Sequence, residues 1–146
     1  MKRILMLLVC ALSFSSVSMW AGDDRLIQFD ELPATARTFI QKHFSQVKVA
    51  LTKVDSDFFD KDYDVVFVNG DKIEFDKNGK WKEIKCVSSG SIPSTAIPAQ
   101  IHTYITQNYP DVSVVKMEQD RKEYEVKLSN GRKLEFDKQY RLIDID

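Results

Sequence analysis

The stretch Ile73-Glu74-Phe75-Asp76-Lys77 returns with a single conservative change as Leu134-Glu135-Phe136-Asp137-Lys138. Each copy follows an alternating segment, Tyr63-x-Val65-x-Phe67-x-Asn69-Gly70 in one case and Tyr124-x-Val126-x-Leu128-x-Asn130-Gly131 in the other. An Asn-Gly pair between two such segments predicts a tight hairpin, because both positions tolerate a positive φ. Apolar residues at every second position predict strands with one buried face and one solvent-exposed face.

A helix-like segment precedes each set of strands. Leu32-Pro33-Ala34 matches Ile97-Pro98-Ala99, and each is followed by apolar residues at helical spacing. These residues are Ala36, Phe39, Ile40 and Phe44 in the first copy, and Ile101, Tyr104, Ile105 and Tyr109 in the second. Because the matches keep their order along the chain, the sequence predicts a tandem repeat of a helix plus four-stranded antiparallel unit.

The predicted fold class is α+β, with the helices packed on one face of an open sheet. The first repeat covers residues 22–86, a connector rich in Ser, Gly and Pro covers 87–94, and the second repeat covers 95–146. A single unit of this length would be marginally stable alone. We therefore expect the two units to share a core or to join into one longer sheet.

Residues 1–21 have the pattern of a secretory signal peptide. A basic start precedes the apolar run Ile4–Leu12, which is too short to cross a bilayer, since a spanning helix needs about 20 residues. Cleavage is expected after Ala21, with Ser18 as the alternative position. We predict a periplasmic or secreted protein with no stable membrane insertion after cleavage.

Composition and motifs exclude several classes of function. The formal net charge is −1, without the basic stripe that nucleic acid binding requires. The chain contains no G-x-S-x-G, H-E-x-x-H, P-loop or C-x-x-C motif. We therefore expect no enzymatic activity and no cofactor. Cys86 is the one cysteine after the signal peptide, so it forms either a buried thiol or a bond between molecules.

Four apolar residues of the first repeat stand out as interaction candidates. Val66 and Val68 fall on outward-facing positions of a strand, where the second repeat has polar residues. Phe58 and Phe59 lie in a turn that is longer in the first repeat. Either the other repeat covers these side chains, or they contribute to a protein-binding face, as exposed apolar patches commonly do.

The same turn is rich in aspartate and raises the question of a cation site. An EF-hand frame starting at Asp55 requires glycine at its sixth position and glutamate at its twelfth. The chain has Asp60 and Val66 there, so the turn is not an EF-hand. Asp55, Asp57 and Asp60 are then ligands of a different cation site or members of a solvated hairpin turn.

The repeat, the export signal and the two Glu-Phe-Asp-Lys hairpins together resemble the PepSY-like family of small exported Bacteroidetes proteins, labelled putative β-lactamase-inhibitor-like. The resemblance extends from Leu26 to Asp146. It implies an architecture like that of β-lactamase inhibitor proteins, in which the open sheet face and hairpin loops grip an enzyme. It also implies a non-enzymatic binding module whose partner is another envelope protein, with the module inhibiting or regulating a peptidase or other envelope enzyme. The alternative is a periplasmic protein that binds a small ligand or divalent cation through Asp55–Asp64.

Overall fold

The computed structural model describes residues 24–146; the predicted signal peptide, residues 1–21, and its cleavage position lie outside them. Short 3-10 turns at Phe29–Glu31 and Ser94–Ala96 each precede a helix. The helices and strands are, in chain order, β1 (Arg25–Ile27), α1 (Ala34–His43), β2 (Val49–Ser56), β3 (Lys61–Phe67), β4 (Lys72–Phe75), β5 (Trp81–Lys85), α2 (Ala99–Asn108), β6 (Val114–Gln119), β7 (Glu123–Leu128), β8 (Lys133–Asp137) and β9 (Leu142–Ile145).

The nine strands form one antiparallel sheet in which each strand lies beside its neighbour in the chain. The α+β class and the open antiparallel sheet are therefore confirmed. β5 and β6 join the two halves through three residue pairs, among them Ile84 opposite Met117. Strand β1 was not predicted, because its three residues are too few for an alternating pattern to be recognised. It pairs with β2 and forms one edge of the sheet.

Both helices pack on the same face of the sheet. Phe39 of α1 lies edge-to-face on Phe75 with ring centroids 5.9 Å apart, and Tyr104 of α2 lies in the same way on Phe136 at 5.5 Å. The pairings place Ile73, Ile84, Met117, Val126 and Leu134 in one line across β4 to β8. Phe75 and Phe136 lie two residues beyond Ile73 and Leu134, so they point to the same face. The strand residues with 1% exposure or less are Val65, Phe67, Ile73, Phe75, Ile84, Met117, Val126, Leu128, Leu134 and Phe136.

The two Asn-Gly hairpins form as predicted. Gly70 and Gly131 both have φ of 89°, and each preceding asparagine side chain accepts a hydrogen bond from the backbone N–H two residues later at 3.0 Å. In the first hairpin that residue is Asp71, which is only 3% exposed. Its carboxylate also accepts a hydrogen bond from the backbone N–H of Ser89 at 3.3 Å, so the hairpin is tied to the connector between the halves.

Candidate protein-binding face

The sheet face opposite the helices, called here the open face, carries two rows of charged side chains. The strand registers align one outward carboxylate from each strand between β3 and β9 into a carboxylate row: Asp64, Glu74, Glu83, Glu118, Glu125, Glu135 and Asp144. A parallel lysine row runs across β4 to β8: Lys72, Lys85, Lys116, Lys127 and Lys133. The alternating pattern predicted which residues point outward, but it did not reveal these rows, since they depend on the register between strands.

Lysines compensate most of the carboxylate row. Like charges directly opposite each other destabilise a sheet by roughly 0.2–1 kcal/mol a pair. Every carboxylate from Asp64 to Glu135 has a lysine Nζ within 3.5 Å, supplied by Lys72, Lys82, Lys116 and Lys133. The ammonium groups of Lys116 and Lys133 each bridge two carboxylates of the row. Within the described residues, Asp144 is the one member of the row with no such ion pair.

At the centre of the open face, where β5 meets β6, Glu83 lies directly opposite Glu118. Burial raises the pKa of Glu83, and a hydrogen bond with the opposite Glu118 raises it further. The hydrogen bond from Lys116 lowers the pKa of Glu118. A shallow depression of about 290 Å³ lies here, lined by Glu74, Lys82, Glu83, Glu118, Gln119, Asp120, Glu123 and Glu125. Its lining favours a cationic group of a partner over an anionic one.

One corner of the open face is apolar. Leu51 lies directly opposite Val66 across the β2–β3 ladder, and Val68 follows just beyond the end of β3. Leu26 on β1 pairs with Lys53, two residues from Leu51, so it belongs to the same face. We call these four residues the apolar corner. Leu26, Val68 and Leu51 are exposed by 72%, 64% and 41%. Neither helix covers the corner, which leaves it available to a partner.

The structure separates the four interaction residues predicted from sequence. Val66 and Val68 belong to the apolar corner, whereas Phe58 and Phe59 lie at the tip of the β2–β3 hairpin, exposed by 82% and 95%. The strand from Lys61 to Val66 alone spans about 17 Å. The two pairs of residues therefore offer two separate apolar surfaces, with the outward carboxylates Asp62 and Asp64 of β3 between them.

The aspartates of that hairpin serve the turn itself. Asp57 Oδ1 accepts hydrogen bonds from the backbone N–H groups of Phe59 at 2.9 Å and Asp60 at 2.7 Å, and these bonds lower the pKa of Asp57. The carboxylate of Asp60 accepts a bond from the N–H of Lys61, and Asp55 lies opposite Asp62. Across residues 24–146 no group of three or more His, Cys, Asp or Glu side chains is placed to hold a metal ion.

Cys86 is a buried thiol. Its exposure is 0%, and it lies between the end of β5 and the connector that joins the halves. Burial, together with the nearby Asp71 carboxylate, raises the pKa of Cys86 to about 12. Because the thiolate is the reactive form, these surroundings suppress both nucleophilic reaction and disulfide exchange.

We expect Cys86 to resist an aromatic disulfide reagent in the folded protein. With a pKa of about 12, only about one thiol in ten thousand is ionised at pH 8. Residues 22–146 should therefore release almost no chromophore until denaturant is added, and one equivalent afterwards. Rapid stoichiometric labelling of the native protein would contradict the buried position.

Comparison with known proteins places this architecture among solved structures. A protein of Bacteroides vulgatus described as a putative periplasmic protein from the DUF2874 family is 52% identical, with a TM-score of 0.81, over 86% of this chain and 98% of the other. A Bacteroides thetaiotaomicron protein described as a putative calcium-regulated periplasmic protein is 53% identical, with a TM-score of 0.81, over 85% of this chain and 97% of the other. A second B. vulgatus protein, described as a putative periplasmic protein of unknown function, is 40% identical, with a TM-score of 0.77, over 84% of this chain and 98% of the other.

The relatives confirm the predicted periplasmic location. Neither helix in the described part of the chain is long and apolar enough to cross a bilayer. No curated protein matches the sequence. A family profile matches residues 61–144, which reach from the start of β3 into β9. The chain therefore belongs to the family described as putative beta-lactamase-inhibitor-like, PepSY-like, as its repeated hairpins suggested.

Proposed function

We propose that this chain is a non-enzymatic periplasmic binding module that holds another envelope protein against the open face of its sheet. In this role it inhibits or regulates a peptidase or another envelope enzyme. The observation that carries the proposal is the open face itself, on which the two charged rows lie beside an apolar corner while both helices occupy the opposite side. The inhibitor-like description of the family agrees with this reading.

The size of the open face suits a stable interface. Nine strands spaced by about 4.8 Å span roughly 38 Å, and five residues along a strand add about 17 Å. The resulting area, on the order of 650 Å², approaches the roughly 800 Å² that each partner contributes to a standard protein–protein interface. The exposed tip of the β2–β3 hairpin supplies further area. A partner lying across several strands can therefore use the rows and the apolar corner together.

The arrangement of polar groups supports a non-enzymatic role. Reactive groups of an enzyme are normally held free beside a pocket. Here the carboxylates from Asp64 to Glu135 are engaged in ion pairs with lysines, Asp57 is engaged in its turn, and Cys86 is buried. His43 shares a hydrogen bond of 2.8 Å with Thr95.

We also infer that residues 22–86 and 95–146 are two copies of one unit joined by the connector 87–94. Each half has a helix followed by four strands, and the Phe39–Phe75 and Tyr104–Phe136 ring contacts occupy matching positions in the repeat. The copies differ on the outward side, since only the first contributes the apolar corner. Because the copies differ there, the apolar corner is the surface by which the chain would distinguish one partner from another.

Replacing Leu51 and Val66 together by lysine tests the open face. Residues 22–146 serve as bait in affinity capture from a periplasmic extract of the source bacterium. We expect the double variant to recover its partner at least tenfold less well, because two charges enter the apolar corner and a tenfold change needs only about 1.4 kcal/mol. Far-UV circular dichroism checks that the sheet is retained.

Gln41→Lys is the matched control, since Gln41 is an exposed residue of α1 on the opposite side of the molecule. It adds the same kind of charge and should leave capture unchanged. Phe59→Lys reports whether the hairpin tip takes part in the same contact. Equal recovery with the wild-type chain and the double variant would remove the open-face proposal.

The alternative, a divalent-cation-binding protein using Asp55–Asp64, has one argument, which is that a 53% identical relative is described as putatively calcium-regulated. The described carboxylates do not converge on a common point. Calorimetric titration with calcium decides the matter. Heat of binding that disappears in Asp55→Asn and Asp57→Asn variants would favour the alternative, and the absence of heat would remove it.

A further inference from the structure

We propose that the free edge of β9 binds an extended segment of another protein in which basic and apolar residues alternate, so that the segment adds a tenth strand to the sheet. This site shares Asp144 with the open face but uses the backbone edge of the sheet, and the proposal does not depend on the function proposed above. It rests on three features of β9, namely its backbone, its exposed isoleucines and its unpaired carboxylates.

The backbone of β9 presents hydrogen-bonding groups to an incoming strand. Within the described residues β9 pairs with β8 alone. Asp146 exchanges two backbone hydrogen bonds with Lys133, at 3.1 and 2.8 Å, so the polar groups of Asp146 point toward β8. Because this direction alternates along an antiparallel strand, the N–H and C=O of Ile145 point away from the sheet.

Strand β9 has less of the usual protection of a sheet edge than β1 has. Natural edges are blocked by lysine, proline, β-bulges or very short strands, and of these β9 has a bulge between Leu142 and Asp144. Strand β1, at the other edge, has three residues and includes Arg25. In contrast β9 reads Leu142-Ile143-Asp144-Ile145, with neither lysine nor proline. Ile143 and Ile145 are 53% and 41% exposed. An apolar residue of an added strand would cover Ile145.

The aspartates of β9 determine which side chains the added strand must carry. The carboxylate row ends at Asp144, which pairs with Glu135 across β8 and has no ammonium partner of its own within residues 24–146. Asp146 has the same outward parity, two residues further on. An added strand therefore complements β9 when it places a basic residue opposite each aspartate and an apolar residue opposite Ile145. Opposite charges in such cross-strand positions are favourable.

A second copy of this chain does not meet these requirements. Two copies could pair their β9 strands about a two-fold axis perpendicular to the sheet. The outward faces of the two sheets then match in two registers. In one, Asp144 lies opposite Asp144, and in the other Asp144 lies opposite Asp146. Both registers bring like charges together, which is unfavourable. A shift by one residue places an aspartate opposite an isoleucine and mixes the two faces. The charge pattern therefore favours a basic segment of a different protein.

A blocked peptide Lys-Val-Lys-Val-Lys is the probe, and Glu-Val-Glu-Val-Glu is its charge-reversed control. We expect the lysine peptide to shift the backbone amide resonances of Ile143 and Ile145 in ¹⁵N-labelled residues 22–146, whereas the glutamate peptide does not. Ile145→Pro removes the outward N–H, a position at which an edge strand tolerates proline, and should weaken binding about tenfold. The double variant Asp144→Lys/Asp146→Lys should reverse the preference to the glutamate peptide.

Glu83→Gln, at the centre of the carboxylate row, separates edge pairing from general attraction to the acidic face. Its affinity for the lysine peptide should stay within twofold of wild type. The proposal is overturned if the shifts spread over the open face, if Glu83→Gln weakens binding as much as Ile145→Pro does, or if the peptide does not bind. Sedimentation that shows a dimer abolished by Ile145→Pro would also overturn it, since a second copy would then occupy the edge.

Discussion

Replacing Gly79 by alanine is expected to lower the free energy of unfolding by about 2–5 kcal/mol. Gly79 has φ of 81° in the β4–β5 turn, and an added Cβ would lie 2.8 Å from the Ala36 backbone nitrogen and 2.9 Å from Pro33 Cβ. The left-handed backbone costs an L-residue about 1–2 kcal/mol, and relief of the overlap adds about 1–3 kcal/mol. The turn and the start of α1 would have to separate. Urea denaturation of residues 22–146 measures the loss.

Gly131→Ala is the matched control. Gly131 has φ of 89°, but an added Cβ there meets no atom within 4 Å. Its replacement should therefore cost only the backbone term of about 1–2 kcal/mol. Equal losses in the two variants would show that the close approach of the turn to α1 contributes nothing. At the position that matches Gly79 in the second half stands Tyr140, with φ of 64°, and its ring stacks on Tyr124 with centroids 5.4 Å apart.

Phe75→Ala and Phe136→Ala are each expected to cost about 3–5 kcal/mol, the usual range for removing a buried phenylalanine ring. Phe75 is 0% exposed and Phe136 is 1% exposed, and each contacts the helix of its own half. Because β5 and β6 join the halves in one sheet over one core, each variant should shift a single transition. Urea unfolding followed by Trp81 fluorescence and by far-UV circular dichroism tests this.

The fluorescence of Trp81 shows whether the two halves unfold together. Trp81 is the one tryptophan of residues 22–146 and lies in the first half, while Phe136 lies in the second. If the chain unfolds as one unit, Phe136→Ala lowers the fluorescence midpoint as much as it lowers the dichroism midpoint. Two transitions, or a fluorescence midpoint indifferent to Phe136, would mean that the halves unfold separately. Phe75→Leu and Phe136→Leu give milder variants should the alanine variants fail to fold.

Some features were predictable because they depend on neighbours in the chain. The helix stripe that includes Ile40 and the alternation around Val126 follow from the two side-chain periods, 3.6 and 2. The hairpins at Gly70 and Gly131 follow from glycine's access to positive φ. Membership of the family rested on the same positions, which are mostly structural. For that reason the resemblance predicted the sheet and the helices better than any site.

The candidate site was only partly predictable. Val66 was recognised as an outward apolar residue, but its partner Leu51 and the more distant Leu26 were not, because their proximity depends on the pairing of β1, β2 and β3. Phe58 and Phe59 were correctly placed in a turn. Their separation from Val66 by the length of β3 could not be read from a pattern that records only which side chains are apolar.

The sequence alone determined the fold class, the order of the helices and of strands β2 to β9, and the identity of the inward residues, since each is set by local backbone preference and by the burial of apolar side chains. Only the tertiary structure decided the surfaces on which function depends. The carboxylate row, the lysine row, the apolar corner and the exposed edge at Ile145 exist because separate strands pair in one particular register. The pairings of β1 with β2 and of β5 with β6 join residues distant in the chain, and alternation within a single strand does not encode which residue of the neighbouring strand lies opposite.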